Sequence, residues 1–158
     1  MITDDASAVR SQQTPMRLEP TVDPAALTPG TRLPHWEHRF NEVDLVAYGA
    51  ATWDWHRVHY DLEYARSRKL PGVLIDGQVY GAIFAKLVTR WAGPGAFLCA
   101  MGLKMRSMAF AGDSLRAEGE VQSVESLETG TQVKFSQRLL CGDRLIAEAS
   151  STLHFSKL

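Results

Sequence analysis

Apolar and polar positions along this 158-residue chain fall into three regimes. From Met1 to about Pro29 the stretch MITDDASAVRSQQTPMRLEPTVDPAALTP carries four prolines and keeps neither a period of 3.6 nor one of 2, which predicts an extended or disordered arm over residues 1–29. The next segment, TRLPHWEHRF from Thr31 to Phe40, is a short strand candidate. Asn41 then suits the N-cap of a helix through Val43, Val46, Tyr48 and Ala51, and Asp61 suits the cap of a second short helix, LEYARSRK, broken by Pro71-Gly72.

In the second regime Val79, Ile83, Leu87 and Trp91 recur every four residues, with Tyr80, Phe84 and Val88 one step round, so Gly77 to Trp91 reads as a long, largely buried helix. Gly77, Gly81, Ala82 and Ala85 keep part of its surface small, which suits a closely packed strand layer more readily than a bound chain. After Gly93-Pro94-Gly95 the third regime begins. The turn signals Gly112-Asp113, Thr129-Gly130 and Gly142-Asp143 separate FLCAMGLKMRSMAF, SLRAEGEVQSVESLE, TQVKFSQRLLC and RLIAEASSTLHF, a pattern that predicts four strands in an antiparallel meander. One long helix followed by such strands makes residues 30–158 a single α+β domain in which a curved sheet covers the helix.

Composition narrows the function. Seventeen basic and eighteen acidic residues give a formal net charge of -1, so nothing favours a polyanion and no nucleic-acid partner is expected. Lys86 and Arg90 interrupt the longest apolar helix-like segment, so no membrane partner is expected either. Cys99 and Cys141 form no CxxC pair and no secretory leader opens the sequence, which together predict reduced thiols and a cytoplasmic setting.

Candidate chemistry concentrates in DWHRVHYD, Asp54 to Asp61, which packs two carboxylates and two imidazoles into eight residues. His56 and His59 have an HxxH spacing to which Asp54 or Asp61 would add oxygen, but His35, His38 and His154 supply no clear third ligand and HExxH is absent. A bland alternative has Asp61 capping a helix within a polar surface loop. The third alternative pairs Asp54 with His59 as an acid/base couple holding a water, with Trp53, Trp55 and Val58 excluding bulk solvent.

The run YGAATWDWHRVHYDLEYA, Tyr48 to Ala65, resembles the signature of the MaoC-like dehydratase and R-specific enoyl-CoA hydratase family, and GVLIDG, Gly72 to Gly77, resembles that family's loop into the central helix. The resemblance covers most of residues 30–158. It implies the hot-dog fold, a long helix wrapped by an antiparallel sheet, and hydration of a trans-2-enoyl-CoA to a (3R)-3-hydroxyacyl-CoA. It further implies Asp54 and His59 as the catalytic pair, the Gly77 N–H as donor to the thioester oxygen, no metal or other cofactor, an acyl-CoA thioester as substrate and a homodimer or higher homo-oligomer. Exposed sheet edges argue for pairing too. The chain departs from the family at His56-Arg57, where Asn-Pro is usual, at Asp76, where His is frequent, and at Ala85, where a serine often stands. Asp76 keeps open a hot-dog thioesterase in which that carboxylate activates or replaces water, and the His56-Arg57 departure keeps open a non-catalytic acyl-binding subunit.

Overall fold

In a computed structural model the described residues are 22–157; residues 1–21 of the predicted arm and Leu158 lie outside them. Residues 23–27 form a short turn in which Asp23 caps Pro24–Ala26, and Leu27 packs on the core. Gly30, Thr31 and Leu33 then run along the sheet through backbone bonds to Val121 and Gly119. Regular strand β1 begins only at Trp36 and ends at Arg39. Pro34, which has no N–H to give to a ladder, interrupts the strand anticipated over Thr31–Phe40.

Helix α1 spans Glu42–Thr52 and starts with a reciprocal cap: Asn41 Oδ1 accepts from the Val43 and Asp44 N–H groups, and Asp44 Oδ2 accepts from the Asn41 N–H. Helix α2 spans Leu62–Ser67 under the anticipated Asp61 cap. It ends before Arg68-Lys69 because Lys69 adopts a left-handed conformation (φ 63°), letting the Leu70 N–H reach Ala65 O at 3.1 Å and the Lys69 N–H reach Arg66 O at 2.9 Å. This is a Schellman closure made without the customary glycine.

Helix α3, Gly77–Ala92, is the central element, burying Val79, Tyr80, Ile83, Phe84, Leu87 and Val88. Strands β2 (Ala96–Met105), β3 (Ser114–Leu127), β4 (Gly130–Cys141) and β5 (Arg144–Ser156) complete an antiparallel five-stranded sheet in the order β1-β3-β4-β5-β2. Strands β3, β4 and β5 form the predicted meander, but β2 pairs with β5 instead of β3. The connection between β2 and β3 explains the pairing. Arg106–Asp113 is too long for a hairpin turn and crosses the fold, and Ser107 Oγ donates to Leu145 O at 2.6 Å on the way.

Apolar side chains of β3, β4 and β5, among them Leu115, Val121, Phe135, Leu139 and Leu153, meet the buried stripe of α3. Trp91 of α3 meets Phe135 edge-on with ring centroids 5.7 Å apart. One polar tie fixes the helix on the sheet: the buried Gln137 side chain donates to Phe84 O at 2.8 Å while accepting from the Ser151 hydroxyl. Among the described residues no helix is long and apolar enough to cross a membrane.

Candidate active site

The site forms where the end of α1, the DWHRVHYD loop and the start of α3 converge. Helix α1 stops abruptly because Trp53 adopts φ 61° and ψ 25°, an unusual conformation for a bulky residue, and turns the chain back on itself. Asp54 N–H then donates to Gly49 O at 3.1 Å. A Cβ on Gly49 would lie 2.8 Å from Asp54 O, so the loop reaches the helix only because residue 49 is glycine.

A single 3-10 turn, Arg57–His59, brings the histidine back beside the aspartate. His56 starts it, its N–H donating to Asp54 Oδ1 at 3.1 Å and its Nδ1 accepting from the Val58 N–H at 3.3 Å. Arg57 ties the loop to α2, its Nε and Nη2 donating to Asp61 Oδ2 at 3.1 and 2.7 Å while its guanidinium covers the Tyr64 ring at 4.5 Å. The Tyr64 N–H and then Arg57 hold the Asp61 carboxyl below its usual 3.8. Asp61 thus belongs to the loop's frame.

The segment before α3 is gripped on both sides. Leu74 N–H donates to Val58 O, Ile75 N–H to Ala109 O and Ala111 N–H to Val73 O, each at 2.9 Å. His59 Nδ1 lies 2.8 Å from Leu74 O. A carbonyl oxygen only accepts, so Nδ1 carries the proton and the Nε2 lone pair is left for chemistry.

Asp76 caps α3, its Oδ1 accepting from the Gln78 N–H at 2.9 Å. The residue is 8% exposed, and its buried Oδ2 has no hydrogen-bond partner. One donor atom from each of Asp54, His59 and Asp76 lies within 4.8 Å of the others. Together with Leu45, Tyr48, Gly49 and Val79 these residues line a narrow cavity with about 10 Å³ of space, the order of one water molecule.

Of the sequence-predicted residues, Asp54 and His59 come together in this cavity. Gly77 does not line it. As the first residue of α3 its N–H has no acceptor within the helix, and its Cα faces Met105, whose Sδ and Cε would lie 2.7 Å from an added Cβ. Sequence reasoning missed two contributors. Gln78 Nε2 makes a long contact of 3.4 Å to Asp54 Oδ2, and Tyr48 enters the cavity from α1, where burial and then the charges of Asp76 and Asp54 push its phenol above the usual 10.0. The available signal was a polar residue opening an otherwise apolar helix and a tyrosine two turns before Asp54.

A long helix embraced by an antiparallel sheet defines a hot-dog protein, and a carboxylate–imidazole pair stands at the helix N-terminus. The chain belongs to the MaoC-like dehydratase family: the family model described as "MaoC like domain" matches residues 12–145. It is 31% identical over 101 residues to the mitochondrial 3-hydroxyacyl-[acyl-carrier-protein] dehydratase of Arabidopsis thaliana, a match covering 63% of this chain and 59% of that protein, and so less than two thirds of it. It is 27% identical over 128 residues to the 3-oxo-4,17-pregnadiene-20-carboxyl-CoA hydratase beta subunit of Mycobacterium tuberculosis, covering 80% of this chain and 97% of that one. An unliganded R-hydratase of Pseudomonas aeruginosa superposes with a TM-score of 0.77 at 22% identity over 90% of each chain, a likeness of fold.

Proposed function

We propose that the protein adds water reversibly to a trans-2-enoyl-CoA to give a (3R)-3-hydroxyacyl-CoA. The observation that carries this reading is the meeting of Asp54 and His59 in a cavity the size of one water, with the imidazole tautomer fixed by Leu74. Addition needs a water held over C3, its proton removed, a proton returned to C2 and the charge on the thioester oxygen stabilised. Asp54 and the Nε2 of His59 hold the water and handle both protons between them. The Gly77 N–H, at the positive end of α3, faces the developing enolate oxygen once Met105 swings aside. No metal or redox cofactor takes part.

The partner in this reading is an acyl-CoA thioester, and the working form is a homodimer in the cytoplasm, where Cys99 and Cys141 remain free thiols. Pairing is supported by β2, an edge strand that leaves Phe97 70% and Met105 57% exposed. The placement of His59 within reach of Asp54 weighs against a non-catalytic acyl-binding subunit. A second reading, a thioesterase, draws support from the buried, unpartnered Asp76 Oδ2 beside the pair. The purified chain tested against enoyl-CoA esters of graded size separates them. Hydration consumes the conjugated enoyl absorbance without releasing thiol, whereas thioester hydrolysis releases thiol and leaves the double bond.

A further inference from the structure

We propose that Asp54, His59 and Asp76 also form a binding site for a divalent transition-metal ion of zinc type, and that this ion inhibits the enzyme. The inhibition rests on the hydratase reading above; the binding does not.

The donor set is built for it. Each of the three residues has one atom anchored by the protein and another without a strong partner. His59 gives its Nδ1–H to Leu74 O, the arrangement that fixes a metal-ligating imidazole and leaves Nε2 free to coordinate. Asp76 spends Oδ1 on the Gln78 N–H and leaves Oδ2 buried without a partner. Asp54 spends Oδ1 on the His56 N–H, and its Oδ2 has only the 3.4 Å contact from Gln78 Nε2.

An unpartnered carboxylate oxygen in a residue only 8% exposed carries a desolvation penalty that a cation relieves. Two carboxylates and a neutral imidazole offset the charge of a divalent ion, and one nitrogen with two oxygens suits zinc or a similar first-row metal. Tetrahedral ligands about 2.0 to 2.2 Å from zinc stand roughly 3.3 to 3.6 Å apart. The three donors, within 4.8 Å of one another, reach that spacing by small side-chain rotations. The ion then occupies the space that the reacting water needs, and coordination removes the Nε2 lone pair and the Asp54 oxygen from proton transfer.

Equilibrium dialysis of the chelator-stripped full chain against Zn²⁺ tests the binding, with Co²⁺ absorbance as a second readout. Both are run on a His38→Ala/Cys99→Ser background, because the surface pair His38–Asp44 at 3.0 Å and the exposed Cys99 offer adventitious ligands. The expected result is one equivalent of Zn²⁺, with affinity falling at least about 100-fold in Asp54→Asn and in Asp76→Asn. Circular dichroism identifies any variant that fails to fold, and Asp54→Asn, which spares the α3 cap, decides the matter if Asp76→Asn does. Absence of the single equivalent, or binding that survives the folded variants, overturns the site. Hydration of an enoyl-CoA by the unsubstituted chain should fall with the same Zn²⁺ midpoint and recover fully on chelation. Zn²⁺ retained without any effect on that rate overturns the inhibition, and Zn²⁺ bound by a chain with no hydratase activity overturns the hydratase reading while leaving the metal site standing.

Discussion

His59 gives its Nδ1 proton to the carbonyl oxygen of Leu74 at 2.8 Å, across a contact that joins the DWHRVHYD loop to the segment leading into the central helix. One hydrogen bond sets the tautomer and the ring orientation together, and in the proposed hydratase this would ready the imidazole for proton transfer before substrate arrives. Replacing it should be costly to turnover and mild for the fold. For His59→Ala we expect enoyl-CoA hydration to fall by about 100- to 10,000-fold, the usual worth of a general acid–base group. Steady-state kinetics beside a circular-dichroism melt checks both halves, and a folded variant with near-normal turnover removes His59 from the chemistry.

Gly77→Pro tests the backbone donor. Proline suits the first helical position, and Asp76 at φ −59° and ψ 131° already has the extended geometry that a following proline requires. The new ring displaces Met105, a flexible side chain 57% exposed, so the fold should survive. Turnover should drop about 100- to 1000-fold for loss of one oxyanion donor. The double variant Gly77→Pro/Met105→Ala relieves the clash and should remain equally slow; recovery there would make Met105, not the missing N–H, responsible.

Much of this arrangement is legible in the sequence because its signals are local. Asn41 and Asp61 sit before their helices as caps, the four-residue recurrence from Val79 marks the buried face of α3, and the turns at Thr129-Gly130 and Gly142-Asp143 separate β3 from β4 and β4 from β5. The Asp54–His59 spacing allows an acid/base couple among three readings, and the family resemblance singles it out. Residues whose role depends on long-range contact stay hidden. Strand β2 pairs with β5 because of where the Arg106–Asp113 link travels, which no period encodes. Trp53 and Lys69 take left-handed conformations that side-chain identity argues against, each closing its helix through local backbone bonds. Asp76 reads from the sequence as the carboxylate of a thioesterase alternative, and only the fold shows its Oδ2 buried without a partner in a residue gathered with Asp54 and His59.

Tyr48 predicts an alkaline weakness. Burial and then the neighbouring charges of Asp76 and Asp54 raise its phenol above 10.0, so the folded protein holds this proton more tightly than the unfolded chain does. The sign follows from linkage: its contribution is complete below pH 10.0 and is lost as pH rises through the folded value. Urea midpoints measured from about pH 9 to about pH 11 should fall less steeply in Tyr48→Phe than in the parent chain. Tyr80, also raised, chiefly by its own burial, carries a linkage of the same sign, so Tyr80→Phe should likewise flatten the fall. Parallel midpoints for Tyr48→Phe and parent would show that the phenol exerts no such linkage.

Dimerisation should run through the β2 edge. Phe97 is 70% exposed and Met101 38%, apolar surface lying beside unpaired backbone groups. Light scattering at micromolar concentration should report a dimer, and Phe97→Lys with Met101→Lys should shift it toward monomer by placing charge in the contact. A monomeric parent chain contradicts the homodimer.

The last distinction lies between two carboxylates that share one small cavity. In the proposed hydratase, Asp54 would orient water with His59, and an asparagine there neither accepts the proton nor carries the charge that supports the imidazole. Asp54→Asn should therefore lose most hydration, while Asp76→Asn keeps a larger share because the amide oxygen still accepts the Gln78 N–H at the helix cap. A thioesterase reverses that order: Asp76, with its free buried Oδ2, would be indispensable, and thiol would appear with the enoyl absorbance intact. Both variants need to be compared at matched oligomeric state, since loss of the α3 cap costs about 1 kcal/mol where the asparagine fails to replace it. Measured on the best enoyl-CoA substrate, near-normal hydration by Asp54→Asn together with its loss in Asp76→Asn would transfer the chemistry from the loop carboxylate to the helix cap.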